Sequence, residues 1–184
     1  KARELIFAGE VVEAQKLVQK QFMSQRWTRS YQTLADLNVK QSGIDEQVLY
    51  RRWLDLDAAQ VSEEFTSKGV KYSRRVVASR PDRCVAALFD ADQPAAISIE
   101  VGLSREVGGT LLEPVRIDGN RAWLRFGGQA SHGDKFLGAH FECQMSVIAT
   151  GGSMRMKSAG ITIEGADSVL FLITADSDPE GKFD

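Results

Sequence analysis

The chain has 184 residues, of which 23 are basic and 25 acidic, and its formal net charge is −2. This balance lacks the basic surface that nucleic acids and anionic membranes attract, so we predict neither as a partner. The longest apolar cluster, Val169 to Ile173, is far shorter than the roughly 20 apolar residues of a membrane-spanning helix. The length suits a domain with one sizeable core.

Residues 2–23 have the spacing of an amphipathic helix. Their apolar side chains fall on one face: Ala14, Leu17, Val18 and Phe22. Gly9 predicts a break between a short first helix and a longer second one. We therefore expect a helical segment over residues 1–30 that packs on the rest of the protein.

From about residue 31 the pattern changes to the alternation of β-strands. Two segments alternate apolar and polar residues, which predicts one buried face in each: Ile97 to Leu103 and Phe141 to Val147. Two others are apolar on both faces and predict central strands: Cys84 to Phe89 and Val169 to Thr174. The fold class predicted is mainly β, an antiparallel β-sandwich over residues 31–176 with a helical N-terminal segment. Residues 177–184 are expected to begin a linker.

Turn sequences separate the predicted strands at short intervals, which favours hairpins over parallel β-α-β units. They contain Gly, Pro, Asp or Asn at the positions that turns need: Lys68-Gly69, Arg80-Pro81-Asp82, Asp92-Gln93-Pro94, Asp118-Gly119-Asn120, Thr150-Gly151-Gly152 and Glu164-Gly165-Ala166-Asp167.

Asp55 and Asp57 form a carboxylate pair with a spacing that suggests catalysis. On one face of a strand they would lie about 6 to 7 Å apart, close to the separation of roughly 6.5 to 9.5 Å in inverting glycosidases. Two acids at the solvent-exposed end of a strand are commonplace, however. We therefore predict no catalytic residue in this chain.

The loop Gly127 to Asp134 is the most unusual connection, and it fits no phosphate-binding pattern. His132 and Asp134 in this loop are candidates for contact with a neighbouring domain or the rim of its sugar site. Trp123 is a third candidate, because aromatic rings stack on sugars. A tryptophan is also a common packing residue, and Trp27 and Trp53 allow the same two interpretations.

Cys84 and Cys143 both lie in apolar runs and are predicted to be buried free thiols. A disulfide would require their two strands to face each other. With only two histidines and no cluster of ligating residues, we predict no metal site and no cofactor.

Four stretches of the chain follow one another in a characteristic order. They are ARELIFAGEVVEAQKLVQKQF, then Tyr31-Gln32-Thr33-Leu34-Ala35-Asp36-Leu37, then the block from Tyr50 to Ser104, and finally ITIEGADSVLFLITAD at 161–176. This succession resembles the N-terminal domain of the family 95 glycoside hydrolases, the α-L-fucosidase family. Thr33 and Ala35 stand where that family usually has Pro and Gly.

The resemblance implies a non-catalytic support domain of the super-sandwich type. The parent enzyme would hydrolyse terminal α-L-fucosides with inversion in an (α/α)6 barrel beyond Asp184, where the family keeps its catalytic groups. The expected partner is that barrel in the same polypeptide, and carbohydrate would be bound through the parent enzyme. The resemblance also favours an extracytoplasmic location. Family members have further strands ahead of the helix, so an exposed sheet edge and self-association are expected here.

Two other functions are consistent with the sequence. A free-standing carbohydrate-binding β-sandwich would present a strip of exposed aromatic side chains. An enzyme complete within these residues would depend on Asp55 and Asp57, and Asp55→Asn would abolish its turnover.

Overall fold

A computed structural model describes residues 1–23, 32–113, 115–131, 137–158 and 160–178. The chain divides into two compact units, Lys1–Tyr31 and Gln32–Asp184. No helix in the described ranges combines the length and the apolar character needed to cross a membrane.

The first unit contains two helices, α1 (Ala2–Phe7) and α2 (Val11–Gln21). Gly9 lies between them with φ +80°, a conformation that glycine adopts without steric cost, so the predicted break is confirmed. Ala14 is buried, whereas Val18 and Phe22 on the same predicted face are exposed. The expectation that this face packs on the second unit stays a prediction.

The second unit is built of strands, which confirms the predicted mainly-β, antiparallel fold class. The strands are β1 (Asp36–Ser42), β2 (Val48–Asp55), β3 (Gln60–Ser67), β4 (Val70–Ser79), β5 (Cys84–Ala91), β6 (Ile97–Ser104), β7 (Gly109–Leu111), β8 (Arg116–Asp118), β9 (Arg121–Ser131), β10 (Leu137–Lys157) and β11 (Gly160–Asp178). β11 therefore continues two residues beyond the end predicted at 176. Residues 179–184 lie outside the described ranges.

The strands form two layers. The wide layer has the order β2-β3-β4-β5-β11-β10-β9, with β7 and β8 paired to β9. The narrow layer consists of β1, β6, the first part of β11 and the last part of β10. All of these pairings are antiparallel, so side chains directly opposite one another lie on the same face of a layer.

β10 and β11 belong to both layers because they bend together. β11 pairs with β6 up to Ala166 and with β5 from Ser168 onward. The register of β10 against β11 shifts between Thr150 and Gly151, where a β-bulge turns the corner. Gly151 and Gly152 have φ values of +71° and +70° there, which side chains with a Cβ rarely adopt.

This corner corrects two sequence predictions. The segments Thr150–Gly152 and Glu164–Asp167 were expected to be turns between strands, but both lie inside continuous strands. Glycine at positive φ serves a bulge as well as a turn, so the local sequence signal is the same. By contrast, Lys68-Gly69 and Asp118-Gly119-Asn120 do connect adjacent paired strands, as predicted.

The core lies between the inner faces of the two layers. The alternation predicted from sequence is confirmed: Ile97, Ile99, Val101 and Leu103 are buried, as are Phe141, Cys143, Met145 and Val147. The predicted central strands β5 and β11 lie side by side in the interior of the wide layer.

Both cysteines are free thiols, as predicted, and Cys143 is buried whereas Cys84 is half-buried. Burial raises the pKa of the Cys143 thiol, so it stays protonated.

Candidate functional site

The three residues proposed for a rim or an interface fall differently in the structure. His132 and Asp134 lie outside the described residues. Trp123 lies on β9, opposite Ser146 of β10 and Arg116 of β8. It is half-buried, and the guanidinium carbon of Arg116 lies 5.5 Å from the centre of its ring.

Asp55 and Asp57 do not share one face of a strand, so the predicted pair is wrong. β2 ends at Asp55, and Asp57 lies in the turn that follows. The Oδ1 atom of Asp55 accepts hydrogen bonds from the backbone N–H groups of Asp57 and Ala58, at 3.0 and 2.9 Å. The carboxylate therefore stabilises a turn, as Asp commonly does. This arrangement does not flank a substrate.

The tryptophans in the described ranges do not form an aromatic strip. Trp53 lies on β2 and Trp123 on β9, at opposite ends of the wide layer. Six strand spacings separate them, or about 29 Å in a flat sheet. Trp27 lies outside the described residues. The strip expected of a carbohydrate-binding module with several stacking platforms is therefore absent from the described part of the wide layer.

A polar cleft lies on the outer face of the wide layer, where β9, β10 and β11 run side by side. Its volume is about 390 Å³. Strands β9, β10 and β11 supply most of its lining, and the connection from β4 to β5 supplies the rest: Asp82, Arg83, Arg125, Glu142, Gln144, Thr174, Ala175 and Asp176. Register brings them together, since Gln144 lies opposite both Arg125 and Thr174.

An ion pair forms the floor of this cleft. Nε and one terminal nitrogen of Arg125 donate to the two oxygens of Glu142, at 2.7 and 2.8 Å. Nε2 of Gln144 donates to the same carboxylate at 2.8 Å. The Glu142 side chain is 12% exposed and that of Arg125 is 40% exposed, so the carboxylate is the more enclosed partner of this two-point contact.

The hydrogen bond from Arg125 lowers the pKa of Glu142, although partial burial opposes the shift. In return, Glu142 raises the pKa of Arg125. Both groups are therefore charged at neutral pH, and Glu142 lacks the raised pKa that a general acid requires. The pair can orient a ligand by hydrogen bonds, but it is not arranged for proton transfer.

The remaining groups of the cleft are suited to hydroxyl-rich ligands. Thr174, Asp176 and Asp82 add hydroxyl and carboxylate groups around the ion pair. Trp123 lies two residues from Arg125 on the same face of β9, but it is not among the residues that line the cleft. Several hydrogen-bond donors and acceptors in one cleft are suited to the hydroxyl groups of a sugar.

Trp123 is a candidate from the sequence, whereas Arg125, Glu142, Gln144 and Asp176 are not. Part of the signal is present, because Glu142 and Gln144 are the polar residues that alternate with the apolar ones in the predicted strand from Phe141 to Val147. Only the register of β9, β10 and β11 shows that they meet.

Two other places in the fold present polar groups at the surface. A larger groove of about 700 Å³ runs along β1 and β6, but Lys157 and Glu100 in its lining already form an ion pair at 2.5 Å. His140 is exposed on the same face of β10 as Glu142. In the described ranges no group of three or more His, Cys, Asp or Glu residues could hold a metal ion.

Comparison with solved structures finds a similar fold. A candidate kojibiose phosphorylase from the human microbiome superposes with a TM-score of 0.55 at 11% sequence identity, over 83% of this chain and 24% of that chain. This likeness concerns the fold alone. Among curated proteins, α-L-fucosidase 2 of Arabidopsis thaliana is 27% identical over 174 residues, covering 83% of this chain and 20% of the fucosidase.

The chain therefore spans about a fifth to a quarter of the length of the proteins that it matches. The family model described as glycosyl hydrolase family 65, N-terminal domain, matches residues 1–182. The prediction of an N-terminal β-sandwich domain from the sugar-cleaving enzymes is thus confirmed at the level of the domain. Because that model covers nearly the whole sequence, the chain belongs to the family of glycosyl hydrolase family 65 N-terminal domains.

Proposed function

We propose that this chain is the non-catalytic support domain of a longer enzyme that hydrolyses terminal α-L-fucosides with inversion. The match to a family of N-terminal domains carries this proposal. The similarity to α-L-fucosidase 2 supports the choice of fucosides. The catalytic groups would lie in a barrel within the same polypeptide, and this domain would pack against that barrel.

The geometry of the described residues agrees with a supporting role. Asp55 caps a turn, and Glu142 is held in its charged form by Arg125. The lowered pKa of Glu142 does not suit it to act as a general acid, and the Asp55 carboxylate is engaged by the backbone of its own turn.

A parallel assay of the 184-residue chain and the longer polypeptide tests the support role. Both are incubated with 2′-fucosyllactose, and released fucose is measured. We expect release from the longer polypeptide alone. Release by the 184-residue chain would overturn the support role, and Asp55→Asn and Glu142→Gln would then show which carboxylate is responsible.

The same assay separates two chemistries for the parent enzyme. Kojibiose with inorganic phosphate is offered as a second substrate, since the fold is also found in a candidate kojibiose phosphorylase. Consumption of phosphate together with kojibiose, and no release of fucose, would contradict the fucosidase proposal. The support role would remain, because it does not depend on which bond the barrel cleaves.

The polar cleft favours a second function, direct binding of carbohydrate by this domain. Arg125, Glu142 and Gln144 form a fixed hydrogen-bonding floor, and Trp123 lies on the same face of β9, two residues from Arg125. We expect weak binding at this shallow cleft, with a dissociation constant of about 1 mM, which corresponds to roughly −4 kcal/mol.

Titration of the chain with L-fucose, followed by NMR, tests this second function. If the cleft binds sugar, Trp123→Ala and Gln144→Ala should each abolish saturable shifts. Trp53→Ala, at the other end of the wide layer, is the matched control and should leave them unchanged. Absence of saturable shifts in the unsubstituted chain at about 50 mM sugar would exclude millimolar binding at the cleft.

A further inference from the structure

Strand β2 is an open edge of the wide layer. In the described part of the chain it pairs with β3 alone, so the backbone groups on its other side have no strand partner there. An exposed edge of eight residues is long enough to template pairing with another strand. Its apolar side chains are exposed as well: Val48, Leu49, Tyr50 and Leu54.

Only part of this edge is regular. The register of β2 against β3 shifts between Val48 and Arg51, and Leu49 has φ +55°. Such a bulge disrupts pairing at the start of the strand. From Arg51 to Asp55 each residue has a direct partner on β3, which leaves five regular residues for a second strand.

The sequence of these five residues is self-complementary. Arg51, Trp53 and Asp55 alternate along β2 and therefore lie on one face. In an antiparallel pair centred on Trp53, Arg51 of each copy lies opposite Asp55 of the other. On the opposite face Arg52 lies against Leu54 of the second copy.

We propose that β2 pairs with β2 of a second copy of this chain, antiparallel and centred on Trp53. Two Arg51–Asp55 ion pairs would flank the two tryptophans, which meet at the centre. The arginine stems at position 52 would cover Leu54, which is 59% exposed. The wide layers of the two copies would join into one continuous sheet.

A comparison with β1, the edge strand of the narrow layer, explains why β2 is the edge chosen. β1 pairs with β6 alone among the described strands, and its Asp36, Asn38 and Lys40 have the same self-complementary order. Its apolar residues, Leu37 and Val39, already pack against the core, however. Pairing through β1 would cover little further apolar surface, whereas pairing through β2 would cover Leu54.

The first measurement is the mass of the chain by sedimentation equilibrium, at protein concentrations up to about 0.5 mM. At these concentrations even a weak dimer, with a dissociation constant of up to about 0.5 mM, is substantially populated. We expect a concentration-dependent rise from 20.3 kDa toward twice that mass. A single mass of 20.3 kDa over the whole range would overturn the proposal.

Charge reversal then tests the register. Arg51→Asp places like charges opposite each other twice, so we expect dimerisation to weaken at least tenfold, which corresponds to about 1.4 kcal/mol. Lys40→Asp is the matched reversal on β1 and should leave dimerisation unchanged. The reverse result, with Lys40→Asp disrupting the dimer and Arg51→Asp leaving it intact, would place the interface on β1 and overturn the proposal.

Mixing two variants gives the sharpest result. Arg51→Asp and Asp55→Arg should each be monomeric alone, yet they should form a heterodimer when mixed, because both cross-strand pairs are then opposite in charge. Circular dichroism checks that Asp55→Arg remains folded, since Asp55 also caps a turn. If that variant does not fold, Arg51→Asp with its Lys40→Asp control decides alone. Failure of two folded variants to associate would contradict the proposed register.

Discussion

One row of directly opposed side chains crosses the wide layer from its centre to its edge. Phe171 on β11 lies opposite Ala87 on β5, and the row continues through Val76, Val61 and Leu54. Phe171 is fully buried, Val61 is 43% exposed and Leu54 is 59% exposed. All five residues are apolar and face the same side. Their burial differs because the narrow layer covers the centre of the wide layer but not its β2 end.

This gradient shows that alternation of apolar and polar residues predicts which face of a strand points inward, but not how deeply the side chains on that face are buried. Val147 and Val61 are the same residue on the same inner face, yet only Val147 is enclosed. Substitutions matched between the two regions should therefore differ in cost.

The largest difference is expected for removal of an apolar side chain. Phe171→Ala should lower the free energy of unfolding by about 3–5 kcal/mol, because it leaves a cavity in the core. Leu54→Ala, in the same row, should cost less than about 1 kcal/mol, since the side chain is already largely in water. Urea denaturation of both variants, at protein concentrations where the chain is monomeric, measures the two values. Equal costs would mean that the open end is covered even in the monomer.

Gly152→Ala should have the next largest effect, at about 3 kcal/mol. A Cβ at this position would lie 2.4 Å from the backbone oxygen of Glu164, and φ is +70°. Gly43→Ala is the control, because φ is +80° but a Cβ there would meet no atom within 4 Å. It should cost about 1 kcal/mol, from backbone strain alone. Similar values for both variants in thermal melts would argue against a tightly packed corner.

Burial of a hydroxyl group gives a smaller contrast. Val147→Thr keeps the shape of the side chain but places a polar group in the core, at a cost of about 1–3 kcal/mol. Val61→Thr should change stability by less than about 0.5 kcal/mol, because water reaches the residue. Chemical denaturation in urea compares the pair. A large loss for Val61→Thr would contradict the open inner face.

The smallest contrast concerns charge and pH. The pKa of Glu142 is lowered by Arg125, so its ionisation stabilises the folded state above the ordinary pKa of a glutamate. This stabilisation is lost as the pH falls through the lowered pKa. Glu142→Gln should therefore lower the melting temperature at pH 7 and have progressively less effect toward pH 3. Glu64→Gln, which removes an exposed ion pair with Lys71 on the open end, should change little at either pH.

Sequence reasoning reached the fold through patterns that depend on near neighbours. The strands at Ile97–Leu103 and Phe141–Val147 could be predicted because one of their faces is enclosed, which selects apolar residues at every second position. The corner at Gly151 could not, because a bulge and a turn select the same residues. Whether the chain reverses there depends on β6 and β5, which pair with β11 from distant parts of the sequence.

The polar cleft was beyond prediction for a related reason. Trp123 stands out by its type, but Arg125, Glu142 and Asp176 are common surface residues. They form one cleft only because the register of β9, β10 and β11 places them side by side. The Asp55–Asp57 pair failed in the opposite way, since its spacing was suggestive but β2 ends at its first member.

The bend in β10 and β11 also determines how the protein comes apart. β10 and β11 run through both layers as one hydrogen-bonded pair. β6 of the narrow layer and β5 of the wide layer both pair with β11. Neither layer can therefore unfold without disturbing the strand pair that the other layer shares. Amide protons of β6 and β5 should therefore exchange with deuterium through the same cooperative opening, although they lie in different layers. At protein concentrations where the chain is monomeric, those of β2 should exchange first, from local fraying at the open edge.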